Sequence, residues 1–218
     1  MANLDTKHTS MLSVKEDYHV HSNYNDHSSA DLTVQNALKQ AEKIGLKTIA
    51  FTEHVRRSSE WIPRYLAEVE SAINNASNTI KIIPGFEAKI LADGSIDCPE
   101  YCAQKYFLVA SFHTRYTDKK IWVNALEKAI ENENVNVIGH LVPENSFTLE
   151  EDEVERLARL MAANNKIVEI NAKYHAPPSD WLKVFKRNGV RFHLGSDAHS
   201  LEAIGRFENV SDLIAMVS

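Results

Sequence analysis

The chain has 218 residues, 44% of them apolar and 25% charged, enough for one domain with a sizeable core and at most two small ones. Twenty-four Lys and Arg against 30 Asp and Glu leave a net charge of −6, which argues against strong nucleic-acid binding over a broad basic face. Two cysteines exclude a disulfide scaffold, and no apolar run reaches the roughly 18–20 residues that a membrane span needs.

Residues 1–15, including His8, read as a polar lead-in without the apolar stretch of a secretory signal, and 16–218 as one domain expected in the cytoplasm. Strands are predicted at 16–20, 47–52, 80–86, 106–112, 135–139, 166–170 and 190–195, all short, apolar and rich in Val, Ile and Phe, as buried parallel strands are. A helix follows the first strand, with Val34, Ala37, Leu38 and Ala41 on one stripe and Gly45 as its stop. After the second comes a stripe of Ile62, Leu66, Val69 and Ile73; a short helix at 99–104 follows the third. Trp122, Leu126, Ala129 and Ile130 mark the next helix, with Trp122 assigned to the core. Val154, Leu157, Ala158 and Met161 form a stripe opened by a capping box of Thr148 and Glu151, and helices at 179–188 and 211–217 complete the chain. Seven β–α alternations imply a parallel sheet, either open or closed into a barrel. The absence of a Gly-rich phosphate loop after any strand makes a nucleotide-cradling open sheet the poorer choice.

Ten histidines are an unusual number for this chain, and most of them point to function. His19 and His21 close the first strand, and His54, Glu87, His113 and His140 fall at the ends of the next four. Asp197 and His199 end the seventh. The intervals from His19 through His54, Glu87, His113, His140 and Asp197 are 35, 33, 26, 27 and 57 residues, close to one βα unit of about 30 each, with one strand skipped. In a barrel these ends meet on one face. Imidazole and carboxylate are ligands of Zn, Mn and Fe, and His19 and His21 project to the same side of an extended segment. With His27 the donors number about nine, too many for one tetrahedral ion, so two or three divalent transition ions are expected, with Glu87 able to bridge two. His193, inside the last strand, is read as structural, and Cys98 and Cys102 as free thiols.

The ordered series His19-x-His21, His27, Thr52-Glu53-His54, Gly85-x-Glu87, Ser111-Phe112-His113, Gly139-His140 and Gly195-Ser196-Asp197-Ala198-His199 resembles the PHP (polymerase and histidinol phosphatase) superfamily from about Asp17 to Arg206. The resemblance implies a single-domain distorted (β/α)7 barrel with a trinuclear metal site at the C-terminal ends of the strands. One ion would be held by His19, His21, Glu87 and Asp197. A second would share Glu87 and add His113 and His140, and a third would take His27, His54 and His199. The family hydrolyses phosphate esters, with a metal-bridging hydroxide on the Glu87-linked pair attacking phosphorus in line. Two motifs depart from the common pattern: Glu53-His54 replaces an Asp-His pair, and Leu141-Val142-Pro143 follows His140 where many phosphatases have Pro directly.

A phosphate also needs cations, and Arg56, Arg57, Lys89, Arg115, Lys173 and Arg206 lie near strand ends, with Arg115 and Lys173 favoured. Asp26, Glu53, Asp93 and His175 are candidate general acids. Trp61 and Trp181 follow strands closely and are assigned to core or rim packing. The resulting expectation is a metal-dependent phosphomonoesterase acting on a small phosphorylated molecule, with oligomeric state left open. Its rivals are a phosphodiesterase or nuclease of the same family, an amidohydrolase (disfavoured by His113 at the fourth strand and the lack of an eighth), and a catalytically silent metal-binding module.

Overall fold

The structure, a computed structural model, describes residues 12–76, 80–141 and 147–218; His8, Val142 and Pro143 lie outside them. Its elements run β1 (Glu16–Val20), α1 (Val34–Lys43), β2 (Thr48–Val55), α2 (Ile62–Asn75), β3 (Lys81–Lys89), α3 (Glu100–Lys105), β4 (Phe107–Ser111), α4 (Lys119–Glu131), β5 (Val137–Ile138), α5 (Glu151–Ala163), β6 (Ile167–Asn171), α6 (Ser179–Arg187), β7 (Arg191–Gly195) and α7 (Ser211–Val217). Two 3-10 turns, Leu201–Ala203 and Glu208–Val210, precede α7. The seven strands pair in parallel in sequence order. Beyond β7 the chain turns back against β1: the His21 N–H donates to Ala198 O (3.1 Å) and the Asp197 N–H to His19 O (2.8 Å). These bonds, with a parallel bridge between Val20 and Ala198, make the sheet a nearly closed (β/α)7 barrel.

Local chemistry sets the helix ends. Thr33 Oγ1 accepts from the Asn36 N–H at the start of α1, and Gly45 beyond its end takes φ +76°, a left-handed conformation that costs a residue without Cβ nothing. Asp118 caps α4 by accepting from the Lys120 and Ile121 N–H groups. The α1, α4 and α5 stripes are buried as the periodicity predicts, and Trp122 is fully buried with its ring 5.0 Å from that of Phe112. Cys98 and Cys102 are free. No helix among the described residues is long and apolar enough to cross a membrane.

Three local expectations are corrected. The buried stripe of α2 is Ile62, Tyr65, Val69 and Ala72, and Ile73 is 42% exposed; Tyr65 buries because its hydroxyl donates to Gly85 O (3.1 Å), so the phase is set by an aromatic with a partner. The capping box of α5 is Glu150 with Glu153, whose carboxylate accepts the Glu150 N–H (2.8 Å), in place of Thr148 with Glu151. β2 and β3 also extend to Val55 and Lys89, so His54 and Glu87 sit on the strands themselves, paired in register, instead of following them.

Candidate metal centre

The strand ends deliver the predicted donors to one place. Glu87, fully buried on β3, is at its middle. Its Oε1 lies 2.7 Å from His140 Nε2 and 3.0 Å from His113 Nε2, while its Oε2 lies 2.8 Å from His54 Nδ1, 3.5 Å from His19 Nε2 and 3.6 Å from His21 Nε2. Asp197 Oδ1 stands 3.2 Å from His21 Nε2 and 4.0 Å from His19 Nε2. Donor atoms within 4.8 Å of one another form three groups among the described residues: His19, His21 and Asp197; His54, Glu87 and His113; and His21, His54 and His199. His27 joins none of these. It sits in the loop after β1 with Nδ1 3.0 Å from Asp26 and its ring 4.9 Å from that of His199. His54 and His199 group with His21 at this spacing, His54 Nδ1 also reaches Glu87, and the His27 ring stands beside both at the outer edge. Asp197 takes φ +53°, uncommon outside glycine, and is held there by its N–H bond to His19.

The electrostatics ask for a cation. His199 Nε2 is buried without a hydrogen-bond partner, and His19 Nε2 and His21 Nε2 face each other at 3.1 Å. Burial would lower the His19 pKa, but the carboxylates of Glu169, Glu87 and Asp197 outweigh it and hold the ring well above its ordinary value. Burial is likewise opposed at His21, where the nearby carboxylates of Asp197 (3.2 Å) and Glu53 (3.5 Å) raise it to about 9. His54 falls to about 4 and His199 to about 3, burial being the main cause in each. Burial would raise Glu87, but the surrounding imidazoles keep it ionised. Lone pairs and carboxylates converging in a dry site fit divalent cations of the His/carboxylate class.

A cavity of about 840 Å³ opens over this cage, with His54, Glu87, His113, His140 and Asp197 among its lining residues. Tyr24, Trp61, Phe112 and Tyr174 give it aromatic walls, and Arg56, Lys89 and Lys173 supply cations. Trp61 thus lines the cavity, whereas Trp181 is core, 6% exposed. A second hollow of about 570 Å³, lined by Arg206 and His199, shares Lys173 and Asp197 with the first. The Lys173 ammonium lies 3.4 Å from Asp197 Oδ1 and 3.2 Å from His199 Nδ1.

Several candidates are misplaced by the sequence reading. Arg115 is exposed and lines neither hollow. Arg57 is spent on the chain, its guanidinium donating to Ile96 O and its backbone N–H to Asp97. His175 turns away to Asp212 on α7 (3.1 Å), so it is not placed to donate a proton in the cavity. Asp93 is tied to Ser95 in a turn and does not line the cavity. Glu53 is fully buried and accepts from the Ser22 N–H and hydroxyl, Asn25 Nδ2 and the His54 N–H. Burial would raise its pKa, but His21 and these donors pull it down to about 2, so it cannot hold a proton to donate at neutral pH. Of the acids, Asp26 remains on the cavity wall.

Two buried acids went unnoticed in the sequence. Asp17 accepts the Ser196 N–H (3.0 Å) and Gly205 N–H (2.8 Å), anchoring the turn that carries Asp197. Glu169, fully buried on β6, accepts from His19 Nδ1 at 2.6 Å. For Glu169 the available signal is a lone acid inside an apolar strand, KIVEI, whereas Asp17 stands beside Glu16 in EDYHV and carries no such mark.

The model of the PHP domain matches residues 17–173. The chain belongs to the PHP domain family. A probable phosphatase of Acetivibrio thermocellus is 28% identical over 214 residues, spanning 92% of this chain and 86% of its own. The DNA polymerase/3'-5' exonuclease PolX of Bacillus subtilis is 24% identical over 206 residues, 88% of this chain but 35% of that one. In three dimensions the chain resembles the histidinol phosphate phosphatase of Lactococcus lactis, solved with Zn, L-histidinol and phosphate, at TM-score 0.72, 23% identity and coverage of 93% and 92%. That likeness establishes the PHP barrel. The chain is a phosphoesterase of the PHP family.

Proposed function

We propose that this PHP phosphoesterase removes phosphate from a small phosphomonoester with two or three divalent ions, Zn, Mn or Fe, in the cage. The observation that carries the reading is the split of Glu87: one oxygen faces His113 and His140, the other His19, His21 and His54. A carboxylate so placed suits two neighbouring ions. His19, His21, Glu87 and Asp197 would hold one, Glu87 with His113 and His140 a second, and His27, His54 and His199 a third at the rim. Such ions neutralise phosphoryl oxygens and acidify a water so that it reacts at neutral pH.

The chain supplies the rest. Lys173 reaches the cage itself at Asp197 and serves as a phosphate anchor, with Lys89 and Arg56 on the main cavity wall and Arg206 in the adjoining hollow. The aromatic walls take the organic group, and about 840 Å³ matches a small-molecule site. Asp26 at the mouth is held below its usual carboxylate range by its bond to His27, so it fits proton acceptance. The relative named a probable phosphatase supports monoester chemistry; the likeness to PolX favours a phosphodiester reading.

Protein stripped by chelator and reloaded with Mn, Zn or Fe is assayed on p-nitrophenyl phosphate and bis(p-nitrophenyl) phosphate. The monoester is expected to turn over at least about tenfold faster in kcat/KM, a difference of about 1.4 kcal/mol in barrier. A faster diester, or no release from either by metal-replete protein, overturns the proposal.

A further inference from the structure

β6 is the one strand whose end bears no predicted ligand, yet it carries a fully buried acid in contact with the cage. Glu169 is fully buried and its two oxygens are divided. Oε1 accepts from His19 Nδ1 (2.6 Å), and Oε2 accepts the His140 backbone N–H (2.7 Å) and Asn171 Nδ2 (3.0 Å). A single carboxylate thus fixes one imidazole on β1 and the segment after β5 that carries another.

The barrel leaves space for this group. A Cβ at Gly195 would stand 2.0 Å from Glu169 Oε1 and 2.7 Å from His19 Cβ. At Gly139 it would stand 2.4 Å from Ser111 Oγ and 3.4 Å from Glu169 Oε2. Neither glycine has a positive φ, so what each omits is volume and not a backbone restriction.

We propose that Glu169 is a positioning residue for the cage: it keeps the His19 proton on Nδ1, so that Nε2 presents its lone pair to a metal. The inference rests on the metal-binding reading given above. A carboxylate can only accept, so the Nδ1 that meets it must donate. In metal sites, a partner of this kind sets ring orientation and tautomer and raises the basicity of the ligand nitrogen.

The substitution Glu169→Gln separates positioning from simple strand bracing. Its amide has one oxygen, which the His140 N–H and Asn171 Nδ2 require, leaving the NH₂ against His19 Nδ1. That nitrogen must then accept, and the ring proton moves to Nε2, facing the ions. Metal-free wild type and variant are titrated with Zn²⁺ in competition with a chelator of known affinity. The variant is expected to bind the first ion about 10- to 100-fold more weakly, with unchanged stoichiometry at saturation. Val184→Ala, which thins the buried face of α6 away from the cage, gives a comparison for general destabilisation and should leave the affinity alone. Equal affinity in Glu169→Gln and wild type overturns the inference, whereas no binding by wild type overturns the metal-binding reading itself. Should the variant not fold, long-range ¹H–¹⁵N spectra of the Zn-loaded wild type decide: a proton on His19 Nδ1 is expected, and a proton on Nε2 refutes the assignment.

Discussion

Two sets of imidazoles meet at the mouth of the barrel, and they are built differently. His19 and His21 are completely buried, and each has a buried carboxylate behind its Nδ1: Glu169 at 2.6 Å and Glu53 at 3.5 Å. The outer histidines lack this backing. The His27 side chain is 55% exposed and leans on Asp26, itself fully exposed, and His199 Nδ1 contacts the carbonyl of Asp197 (2.8 Å). His54 reaches inward to Glu87 while leaving part of its ring at the cavity wall. Rigidity and dryness therefore decrease outward from Glu87, and an ion would be held firmly inside and loosely at the rim.

Breaking the inner set gives the largest effect. Glu87→Gln removes a charge that five imidazoles surround, and phosphate release should fall on the order of 10³-fold, as for loss of a principal transition-state electrostatic group. Elemental analysis after dialysis should show metal lost from the same variant; activity within tenfold of wild type would mean that the inner set is not the reaction centre. The outer set should respond less. Water can replace a half-exposed imidazole, so His27→Ala should weaken retention of one ion about 10- to 100-fold, spare the others, and be rescued by added metal. Simultaneous loss of every ion would erase the distinction between the two sets.

The smallest effect on activity is expected below the cage. His193 lies buried on β7, stacked 4.9 Å from the Tyr18 ring, with no hydrogen-bond partner on either nitrogen. Burial lowers its pKa to about 4 from an unfolded value of 6.5. The charged ring is disfavoured in the fold, so the associated stability is present above pH 6.5 and lost as pH falls from 6.5 towards 4, on the order of 3 kcal/mol. Metal-free wild type should therefore lose stability to urea more steeply across that window than His193→Leu. Parallel pH profiles of the two proteins would count against a neutral buried ring.

Much of this was legible in the chain. Strand–helix alternation is readable because each unit buries an apolar strand under an amphipathic helix, and metal-type side chains recur at the pitch of that unit. The α1, α4 and α5 stripes appear in the expected phase. What escaped depends on partners distant in sequence. Tyr65 is a core residue only because Gly85 O lies under its hydroxyl. Glu53 looks like a cleft acid beside His54 until Ser22 and Asn25 are seen saturating it. Glu169 gains its meaning from His19, which lies 150 residues away. Arg115 and His175 follow strand ends closely in sequence, but nearness in sequence no longer sets direction once the backbone leaves the strand, as the φ of +50° at His175 shows.

The seam of the barrel has one more consequence. The bonds that join its first strand to the segment after its last, His21 N–H to Ala198 O and Asp197 N–H to His19 O, belong to the residues that bear cage donors or to their immediate neighbour. Head and tail of the domain are thus stitched together at the same stitches that shape the reaction site. A force that parts the two ends dismantles the centre, and any ion lodged there resists their parting, so occupancy and mechanical integrity rise and fall as one quantity.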